Sequence, residues 1–273
     1  MQVNGKVWVV TGGGNGMGRQ LVLQLLERGA RVAAIDVRPD GLEETAALAA
    51  AGPRLSTHVV DITDRDAVDA LPAQVVAAHG CVDGILNNAG IIQPFVPVSA
   101  LDRAAMARVL DVNLMGTLNM VTAFLPILLE RPEAHIANVS SMGGFFPFPG
   151  QTIYGASKAA VKLLTEGLYA ELLDSRVRVS VIMPGAVSTS ISENSGVSMG
   201  GADASSSSMP MTSPEDAARI MIEGIESDKL HIYVGKDARL MSLAIRVAPR
   251  RAIELVQKQM KKMIPAQPPT AVR

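Results

Sequence analysis

The sequence predicts a doubly wound α/β fold, in which a parallel sheet of seven strands carries helices on both faces. Short apolar, β-branched runs alternate with longer segments whose apolar residues recur at helical spacing, which is typical of repeated strand–helix–strand units. The chain has 273 residues, 48% of them hydrophobic, and shows no internal repeat or linker, so one large core is expected. The predicted strands are residues 6–10, 31–36, 55–60, 84–87, 135–139, 178–183 and 230–234.

Composition excludes several kinds of function. The formal net charge is −1, which argues against nucleic acid as the main partner. Cys81 is the single cysteine, so no intramolecular disulfide can form and a reducing compartment is expected. The four histidines are scattered without metal-ligand spacing, so no metal site is predicted. Neither a signal peptide nor an apolar run of membrane-spanning length is visible, and a cytoplasmic protein is expected.

A glycine-rich loop at residues 11–18 follows the first strand and leads into a helix that ends near Gly29. Glycines let the backbone turn tightly and approach a pyrophosphate, and the helix N-terminus offers free N–H groups and a positive dipole end. This strand–loop–helix context predicts a dinucleotide site of Rossmann type. The residues predicted to contact the cofactor are Gly12, Asn15, Gly16, Met17 and Gly18.

The second strand ends in a carboxylate, Asp36, which lies 18 residues after Gly18. This interval is close to that of the ribose-binding acid of dinucleotide folds. A carboxylate there accepts hydrogen bonds from a ribose 2′-hydroxyl and repels a 2′-phosphate, so NAD is predicted rather than NADP. Neither Asn15 nor Met17 supplies a cation for such a phosphate. Arg38 is the one dissenting residue, and it is interpreted as a solvated loop charge.

The next two strands also end in polar or small residues. Asp61 and Ile62 follow the third strand, and Thr63 or Asp64 can cap the helix predicted at 65–79. A small-residue turn follows the fourth strand, at the edge of the sheet where such folds meet a ligand. This turn consists of Asn88, Ala89 and Gly90.

Three polar residues then interrupt apolar surroundings. Asn113 is a poor helix former on the apolar face of a long helix predicted at 101–129. Ser140 and Ser141 stand at the carboxyl end of the fifth strand and precede an apolar loop at 145–150.

The helix after this loop places Tyr154 and Lys158 on one face, because positions i and i+4 of a helix lie one above the other. A free tyrosine is a poor base at neutral pH, but a nearby cation favours the phenolate and lowers the pKa. Tyr154 is therefore predicted to exchange protons with an alcohol or a carbonyl group.

After the sixth strand, which Pro184 and Gly185 end, the sequence changes in character. Residues 187–212 are rich in serine, glycine and methionine and too polar to pack as core. Because this segment leaves a strand at the same sheet edge as the glycine loop, it is predicted to be a mobile lid. Ser213 then caps a helix that runs to about residue 225.

These residues resemble the short-chain dehydrogenase/reductase family, in its shorter single-domain branch. The resemblance covers about residues 5–235, and its motifs stand in the family's order and spacing. The motifs are the glycine loop at 11–18, Asp61 with Ile62, the turn at 87–90, Asn113, Ser140 with Ser141, Tyr154 with Lys158, and Pro184 with Gly185.

The resemblance implies a catalytic set of Asn113, Ser141, Tyr154 and Lys158. Tyr154 would give a proton to the substrate oxygen or take one from it, and Ser141 would hydrogen-bond that oxygen. Ser141 is preferred to Ser140 because the family's serine usually precedes the tyrosine by 13 residues. Lys158 would lower the tyrosine pKa and hold the nicotinamide ribose. Asn113 would anchor a water molecule in the proton relay.

Further cofactor contacts are implied in the same way. Asp61 and Ile62 would contact the adenine. Thr189 would contact the carboxamide, with Ser188 and Ser190 as alternatives. The remaining implied contacts are Asn88, Ala89, Gly90, Pro184, Gly185 and Val187, together with Tyr154 and Lys158.

The activity so implied is NAD-dependent interconversion of a secondary or primary alcohol with its ketone or aldehyde. Apolar side chains before Tyr154 and in the predicted lid suggest an apolar substrate. These side chains are Phe145, Phe146, Phe148, Met199, Met209 and Met211. Two alternatives stay open, an NADP-linked reductase of 3-oxoacyl thioesters and an NAD-binding sensor without turnover. Asp36 argues against the first, and the complete catalytic set argues against the second.

Residues 1–235 are thus predicted to form the catalytic domain, and residues 236–273 extend it beyond the family's usual length. Basic and apolar residues interleave in this extension with a break at Pro249, which predicts basic amphipathic helices. The main interpretation is a docked pair that covers the body or a neighbouring subunit, and the alternative is a membrane-surface contact. A homodimer or homotetramer is expected, although the extension weakens the expectation of the family's usual tetramer.

Overall fold

The computed structural model describes residues 1–189, 191–197 and 211–260. Its centre is a parallel seven-stranded sheet in the order β3-β2-β1-β4-β5-β6-β7. This sheet confirms the predicted doubly wound fold of Rossmann type. The strands are β1 (Val7–Thr11), β2 (Arg31–Asp36), β3 (Leu55–Val59), β4 (Gly84–Asn87), β5 (Ala134–Val139), β6 (Val177–Pro184) and β7 (His231–Val234).

Helices connect the strands and cover both faces of the sheet. They are α1 (Gly16–Glu27), α2 (Pro39–Ala49), α3 (Arg65–His79), α4 (Arg103–Leu110), α5 (Thr117–Leu129), α6 (Thr152–Glu171), α7 (Ile191–Asn194), α8 (Pro214–Glu226), α9 (Lys236–Val247) and α10 (Pro249–Met260). Asp64, rather than Thr63, caps α3 by accepting from the Ala67 N–H group, and Ser213 caps α8 as predicted. Each cap satisfies an N–H group that has no partner within its helix.

Two apolar layers hold the helices against the sheet. On one face α1 and α8 pack over strand residues that include Val10 and Ile182, and on the other face α3 and α5 pack over Val9 and Ile136. Val9 and Val10 are neighbours in one strand yet lie in different layers, because successive side chains of a strand point to opposite faces. A sheet buried on both sides explains why its strands are continuous apolar runs.

The long helix predicted at 101–129 forms as one element with an irregular middle. A π-helical segment, Asp111–Gly116, joins α4 to α5 and contains the fully buried Asn113. Contrary to the sequence expectation, the stretch Arg103–Leu129 is long and apolar enough to cross a membrane by length and composition. Met120 and Phe124 of this stretch are buried in the apolar layer against the sheet, as in the core helix of a globular domain.

The extension forms the two predicted helices, α9 and α10, on either side of Ala248. A third, smaller apolar cluster docks them on the body, where Phe146 packs with Ala252 and Val256. The described part of the extension therefore covers the loop between β5 and α6.

Candidate active site

A groove crosses the carboxyl ends of the strands where the strand order reverses, between β1 and β4. Loops leave these two strands in opposite directions, and such a switch point is where doubly wound folds bind ligands. Twelve predicted cofactor residues line it: Gly12, Asn15, Gly16, Met17, Gly18, Asp36, Asp61, Ile62, Asn88, Ala89, Gly90 and Thr189. The other five do not line it: Tyr154, Lys158, Pro184, Gly185 and Val187.

The glycine loop depends on residues that lack side chains. Gly12 and Gly16 have φ angles of +70° and +51°, in the left-handed region that favours glycine. A Cβ atom at Gly18 would collide with the carbonyl oxygen of Gly12. Asn15 precedes α1 without capping it through its side chain. The first N–H groups of α1 are therefore available to an anionic ligand.

One hydroxyl group ties the loops after β1 and β4 together. Thr11 Oγ1 accepts hydrogen bonds from the backbone N–H groups of Asn88 and Ala89, each at 3.0 Å. Asn88 Nδ2 donates to the Thr11 carbonyl oxygen at 3.1 Å, but Asn88 Oδ1 is buried without a hydrogen-bond partner in the described structure. Such an acceptor costs free energy unless a donor reaches it. The glycine cradle, the helix N-terminus and this acceptor together fit a dinucleotide.

The carboxylate of Asp36 is fixed by backbone hydrogen bonds on both oxygens. The Gly14 N–H group donates to Oδ2 at 3.0 Å, and the Arg38 N–H group donates to Oδ1 at 3.1 Å. Each oxygen keeps a further lone pair for a ribose hydroxyl. Arg38 also lines the groove, so its interpretation as a solvated loop charge is incomplete.

Two further groove residues come from the long helix and were not predicted. Arg108 and Val112 line the groove together with Asp61 and Ile62. Asp61 Oδ1 accepts from the N–H group and the hydroxyl of Thr63, at 2.9 and 2.8 Å. Only the packing of the helix on the sheet brings Arg108 and Val112 to this place, and no local motif marks them.

Tyr154 and Ser141 meet beside Gly143. A Cβ atom at Gly143 would lie 3.3 Å from the Tyr154 ring and 3.4 Å from Ser141 Oγ. Burial raises the pKa of the Tyr154 phenol, because a buried phenolate loses hydration, and a hydrogen bond with Ser141 lowers the pKa in part. The net direction is upward, so the predicted lowering of this pKa is wrong for the described structure.

The two candidate serines have different partners. The Ser140 hydroxyl is buried and donates to the carbonyl oxygen of Lys158 at 2.6 Å, which ties the end of β5 to α6. Ser141 Oγ accepts from the Gly143 N–H group at 3.0 Å. Its hydrogen bond with the Tyr154 phenol lowers the pKa of that phenol. This geometry agrees with the preference for Ser141.

Lys158 and Asn113 meet beside Gly90. A Cβ atom at Gly90 would lie 3.0 Å from Lys158 Nζ and 3.1 Å from Asn113 Oδ1. Lys158 is buried and donates to the Val139 carbonyl oxygen at 2.9 Å. Burial lowers the pKa of its amine to about 8. For the tyrosine, burial outweighs the hydrogen bond with Ser141, and the implied role of Lys158 in lowering the phenol pKa stays a prediction.

The Asn113 side chain holds the backbone that follows the β4 turn. Its Oδ1 accepts from the Ile91 N–H group at 2.8 Å, and its Nδ2 donates to the Ile91 carbonyl oxygen at 2.9 Å and to Ser157 Oγ at 3.0 Å. Ser157 in turn donates to the carbonyl oxygen of Tyr154 at 2.7 Å. The π-helical segment, the groove and α6 are thus joined through one amide. Its implied role as a water anchor stays a prediction.

Gln93 is a buried residue that sequence reasoning missed. Its Oε1 accepts from the N–H groups of Ile153 and Tyr154 at 2.8 and 3.0 Å, and its Nε2 donates to the Gly150 carbonyl oxygen at 2.9 Å. It therefore satisfies N–H groups in the first turn of α6 that have no partner within the helix. These bonds fix the start of the helix that carries Tyr154 and Lys158.

A residue of the extension holds the turn after β6. Asp237 Oδ2 accepts from the Ala186 N–H group at 2.7 Å, and a Cβ atom at Gly185 would collide with the same carboxylate. Gly185 therefore packs against the extension. Sequence reasoning did not single out Asp237, because its partners lie in a distant loop.

Thr189 faces the glycine loop across the groove. A Cβ atom at Gly16 would lie 3.6 Å from the Thr189 side chain. Val187 is held two residues earlier by a parallel bridge with Thr212. Thr189 thus lines the groove, its implied contact with the carboxamide stays a prediction, and the alternative Ser190 lies outside the described residues.

The described part of the predicted lid borders the groove. Asn15 Nδ2 donates to Asn194 Oδ1 at 3.4 Å, and Ser195 Oγ accepts from the Ile92 N–H group at 3.0 Å. Ile191 and Asn194 line the groove. Met199 and Met209 lie outside the described residues, and Met211 is exposed, so the expected apolar lining of the lid stays a prediction.

The predicted substrate-facing phenylalanines have other partners. Phe146 is fully buried beneath the extension, and its ring centroid lies 5.6 Å from that of Phe148. The ring of Phe145 meets that of Tyr233 edge-on at 6.0 Å. The expectation that this loop presents its aromatic side chains to a substrate is therefore wrong for Phe146.

The chain matches the family model described as short chain dehydrogenase over residues 6–199. It is 35% identical over 269 residues to the putative oxidoreductase SadH of Mycobacterium tuberculosis, covering 96% of this chain and 97% of that protein. It is also 35% identical over 240 residues to 1-deoxy-11-beta-hydroxypentalenate dehydrogenase of Streptomyces arenae, covering 85% and 83% of the two chains.

Solved structures share the fold over nearly the full length. A short chain dehydrogenase/reductase from Burkholderia phymatum in complex with NAD has a TM-score of 0.82 at 28% identity, covering 99% of both chains. A short chain dehydrogenase from Burkholderia cenocepacia in complex with NADP has a TM-score of 0.80 at 30% identity, covering 94% of this chain and 99% of that one. Structures this similar thus carry either dinucleotide.

Proposed function

The chain belongs to the short-chain dehydrogenase/reductase family, and on this premise we propose that it interconverts an alcohol and its ketone or aldehyde with NAD as the cofactor. One observation carries the proposal. The phenol of Tyr154 lies beside the Ser141 hydroxyl and one helical turn from Lys158, next to a groove whose donors fit a dinucleotide. An oxidoreductase of this family needs these elements at one edge of the sheet.

The nicotinamide, when bound, supplies the hydride chemistry. The chain's own residues transfer the proton. Tyr154 gives a proton to a carbonyl oxygen, or takes one from a hydroxyl group, and Ser141 donates a hydrogen bond to the same oxygen as charge develops on it. Lys158 would hold the nicotinamide ribose, since its Nζ lies against Gly90 of the groove, and Asn113 beside it would anchor a water molecule of the proton relay.

The raised pKa of Tyr154 gives the two directions opposite pH dependences. At neutral pH the phenol keeps its proton, which suits proton donation to a carbonyl group. Alcohol oxidation needs the phenolate, so its rate should increase as the pH rises towards the tyrosine pKa. We therefore expect carbonyl reduction to be favoured at lower pH and alcohol oxidation at higher pH.

The preference for NAD rests on Asp36, whose charge faces the position of a 2′-phosphate and repels it. We expect wild-type turnover to be at least about ten-fold faster with NAD than with NADP, since one unit of charge repulsion in such a site is worth about 1–3 kcal/mol. Asp36→Ala should reduce or reverse this ratio. Arg38→Ala, measured in parallel, shows whether the cation in the same groove supports NADP. A wild-type preference for NADP would refute the cofactor assignment.

We propose an apolar secondary alcohol as the substrate. The similarity to a dehydrogenase that acts on 1-deoxy-11-beta-hydroxypentalenate supports a sizeable substrate. A panel of cyclic, terpenoid and aryl alcohols, together with small sugars and hydroxy acids, tests this class by the ratio of kcat to KM. Faster turnover of the sugars or acids would contradict it.

A second candidate is an NADP-linked reductase of 3-oxoacyl thioesters. Arg38 and Arg108 favour it, because both place cations in the nucleotide groove. A 3-oxoacyl thioester added to the same panel, with NADPH as the reductant, distinguishes the two candidates.

A further inference from the structure

The charge of this chain is divided sharply between the body and the extension. Residues 236–273 contain nine basic and two acidic residues, a net charge of +7. Since the whole chain carries −1, residues 1–235 carry −8. Such a separation orients a molecule in an electric field, with the extension towards an anionic surface and the body away from it.

Helix α9 has two apolar faces, and the body covers one of them. Ala238 and Ser242 are buried on the inner face, and Met241 and Ile245 pack on the aromatic loop before α6. Three large aliphatic side chains lie on the opposite face and are exposed. They are Leu240, Leu243 and Val247, with 62%, 61% and 76% of their surface accessible.

The spacing of these three residues places them on one stripe. Positions i, i+3 and i+7 of a helix fall within about 60° of arc, at 100° per residue. Arg239 and Arg246 lie along one flank of the stripe, and both are exposed. No described residue covers it. An apolar stripe beside arginines, whose apolar stems extend beneath a charged head, is the pattern of a helix that lies in a membrane interface.

A basic cleft adjoins the same flank, between α8, β7 and α9. Its volume is about 400 Å³, and its cationic lining residues are Lys229, His231, Arg239 and Arg246. The described residues that line it include no carboxylate. Acids beside the lining residues pair with other groups or with the lining itself: Glu166 binds His231 and Lys162, and Asp228 pairs with Arg178.

Hydroxyl groups complete the cleft. The Ser242 hydroxyl, on a residue that is 7% exposed, donates to Tyr233 Oη at 3.0 Å, and Arg246 Nη2 lies 3.5 Å from the same oxygen. Cations and hydroxyls in one concave site match the oxygens of a phosphate group.

We propose that α9 and this cleft bind the surface of an anionic membrane. The cleft receives a phosphate headgroup, and Leu240, Leu243 and Val247 enter the boundary between headgroups and acyl chains. A lipid surface fits better than a protein partner, because the stripe is purely aliphatic, whereas the centres of protein interfaces are enriched in aromatic residues. Arg250, Arg251 and Lys258 of α10 are exposed and add to the attraction.

Co-sedimentation of the full chain with vesicles tests this proposal. One vesicle population contains phosphatidylcholine with about a third of phosphatidylglycerol, and the other contains phosphatidylcholine alone. The full chain is required, because Asp237 at the start of the extension holds the turn after β6 and a truncated chain would lose that contact. Binding to the anionic vesicles should be at least about ten-fold stronger and should weaken with salt.

Two variants separate the electrostatic contribution to vesicle binding from the apolar one. Arg239→Gln with Arg246→Gln should weaken anionic vesicle binding about 25-fold, at roughly a factor of five per cation. Leu240→Gln with Leu243→Gln and Val247→Gln should abolish the binding that resists high salt. The matched controls are Leu48→Gln, on an exposed leucine of the body with 59% accessible surface, and Arg65→Gln, whose side chain is 69% exposed. Circular dichroism melts and NAD affinity should match the wild type in every variant.

Three results would overturn the proposal. The first is equal binding to both vesicle populations, or none. The second is binding that the stripe and cleft variants leave unchanged. The third is a fall in the solution mass of the stripe variant by light scattering, which would identify the stripe as an interface between copies of this chain.

Discussion

The nucleotide groove and the Tyr154 cluster lie at one edge of the sheet but are built in different ways. The groove is shaped by missing side chains: Gly12 turns through a positive φ, and Gly18 leaves room for the Gly12 carbonyl group. The cluster is shaped by buried polar side chains: Gln93 holds the backbone of Tyr154, and Asn113 holds that of Ile91. Added atoms should therefore damage the groove, whereas lost hydrogen bonds should damage the cluster.

The largest effect should follow from adding one methyl group to the glycine loop. In Gly18→Ala the new Cβ atom collides with the Gly12 carbonyl oxygen, so the loop must open and its phosphate-binding geometry is lost. We expect calorimetry to show a loss of NAD affinity of at least about 100-fold, or about 3 kcal/mol.

Gly167→Ala is the matched control for this change. A Cβ atom at Gly167 meets nothing within 4 Å, and the residue lies inside α6, where alanine is the better helix former. NAD affinity should stay unchanged and stability should rise slightly. Wild-type affinity in Gly18→Ala would show that the loop does not depend on the missing side chain.

Removing the hydrogen bonds of Gln93 should damage the cluster without touching the groove. Gln93→Leu leaves the N–H groups of Ile153 and Tyr154 and the Gly150 carbonyl oxygen without this partner. We expect the free energy of unfolding to fall by about 3 kcal/mol and kcat to fall about ten-fold, with NAD affinity unchanged.

The conservative variant Gln93→Glu separates the effect of Gln93 on the position of α6 from its effect on the stability of the whole chain. Its carboxylate still accepts from the two N–H groups of α6 but no longer donates to Gly150. It should recover most of kcat while it recovers only part of the stability. If both variants lowered kcat and stability in parallel, the role of Gln93 would be structural alone.

Lys158→Met should raise stability while it abolishes turnover. The folded-state pKa of the lysine is about 8, below its ordinary 10.5, so below pH 8 the folded chain must bury an ammonium group. The variant removes this cost and loses the hydrogen bond to Val139, which leaves a net gain of about 2 kcal/mol at pH 7.

The free energy of unfolding of the wild type should depend on pH in one direction. Wild-type stability should increase as the pH rises from about 8 to 10.5, where the unfolded lysine also loses its charge, and the advantage of the variant should shrink over that range. Chemical denaturation at several pH values measures this difference. Lys162→Met, which breaks a half-buried pair with Glu166 on the same helix, should change stability by less than about 1 kcal/mol. If Lys158→Met were less stable than wild type at every pH, the buried ammonium group of Lys158 would not destabilise the folded chain.

The groove and the cluster also differ in how well the sequence predicts them. The strand bounds and the glycine loop follow from local periodicity, and Asp36 follows from its distance to that loop. Gln93 could not be found in this way, because its partner Tyr154 lies 61 residues further along the chain. Asp237 was missed for the same reason, and the direction of the tyrosine pKa depends on burial, which only the folded chain defines.

The most direct measurement of the central claim is alcohol oxidation, followed by absorbance of the reduced nicotinamide, for wild type and Tyr154→Phe with NAD. We expect wild-type turnover that increases with pH and a fall of about 1,000-fold in the variant, the scale of a lost general acid–base group. NAD affinity should be equal in the two proteins, because Tyr154 does not line the groove. Turnover that survives the substitution would show that another group handles the proton. NAD binding without turnover in wild type, across the whole panel, would support the sensor instead.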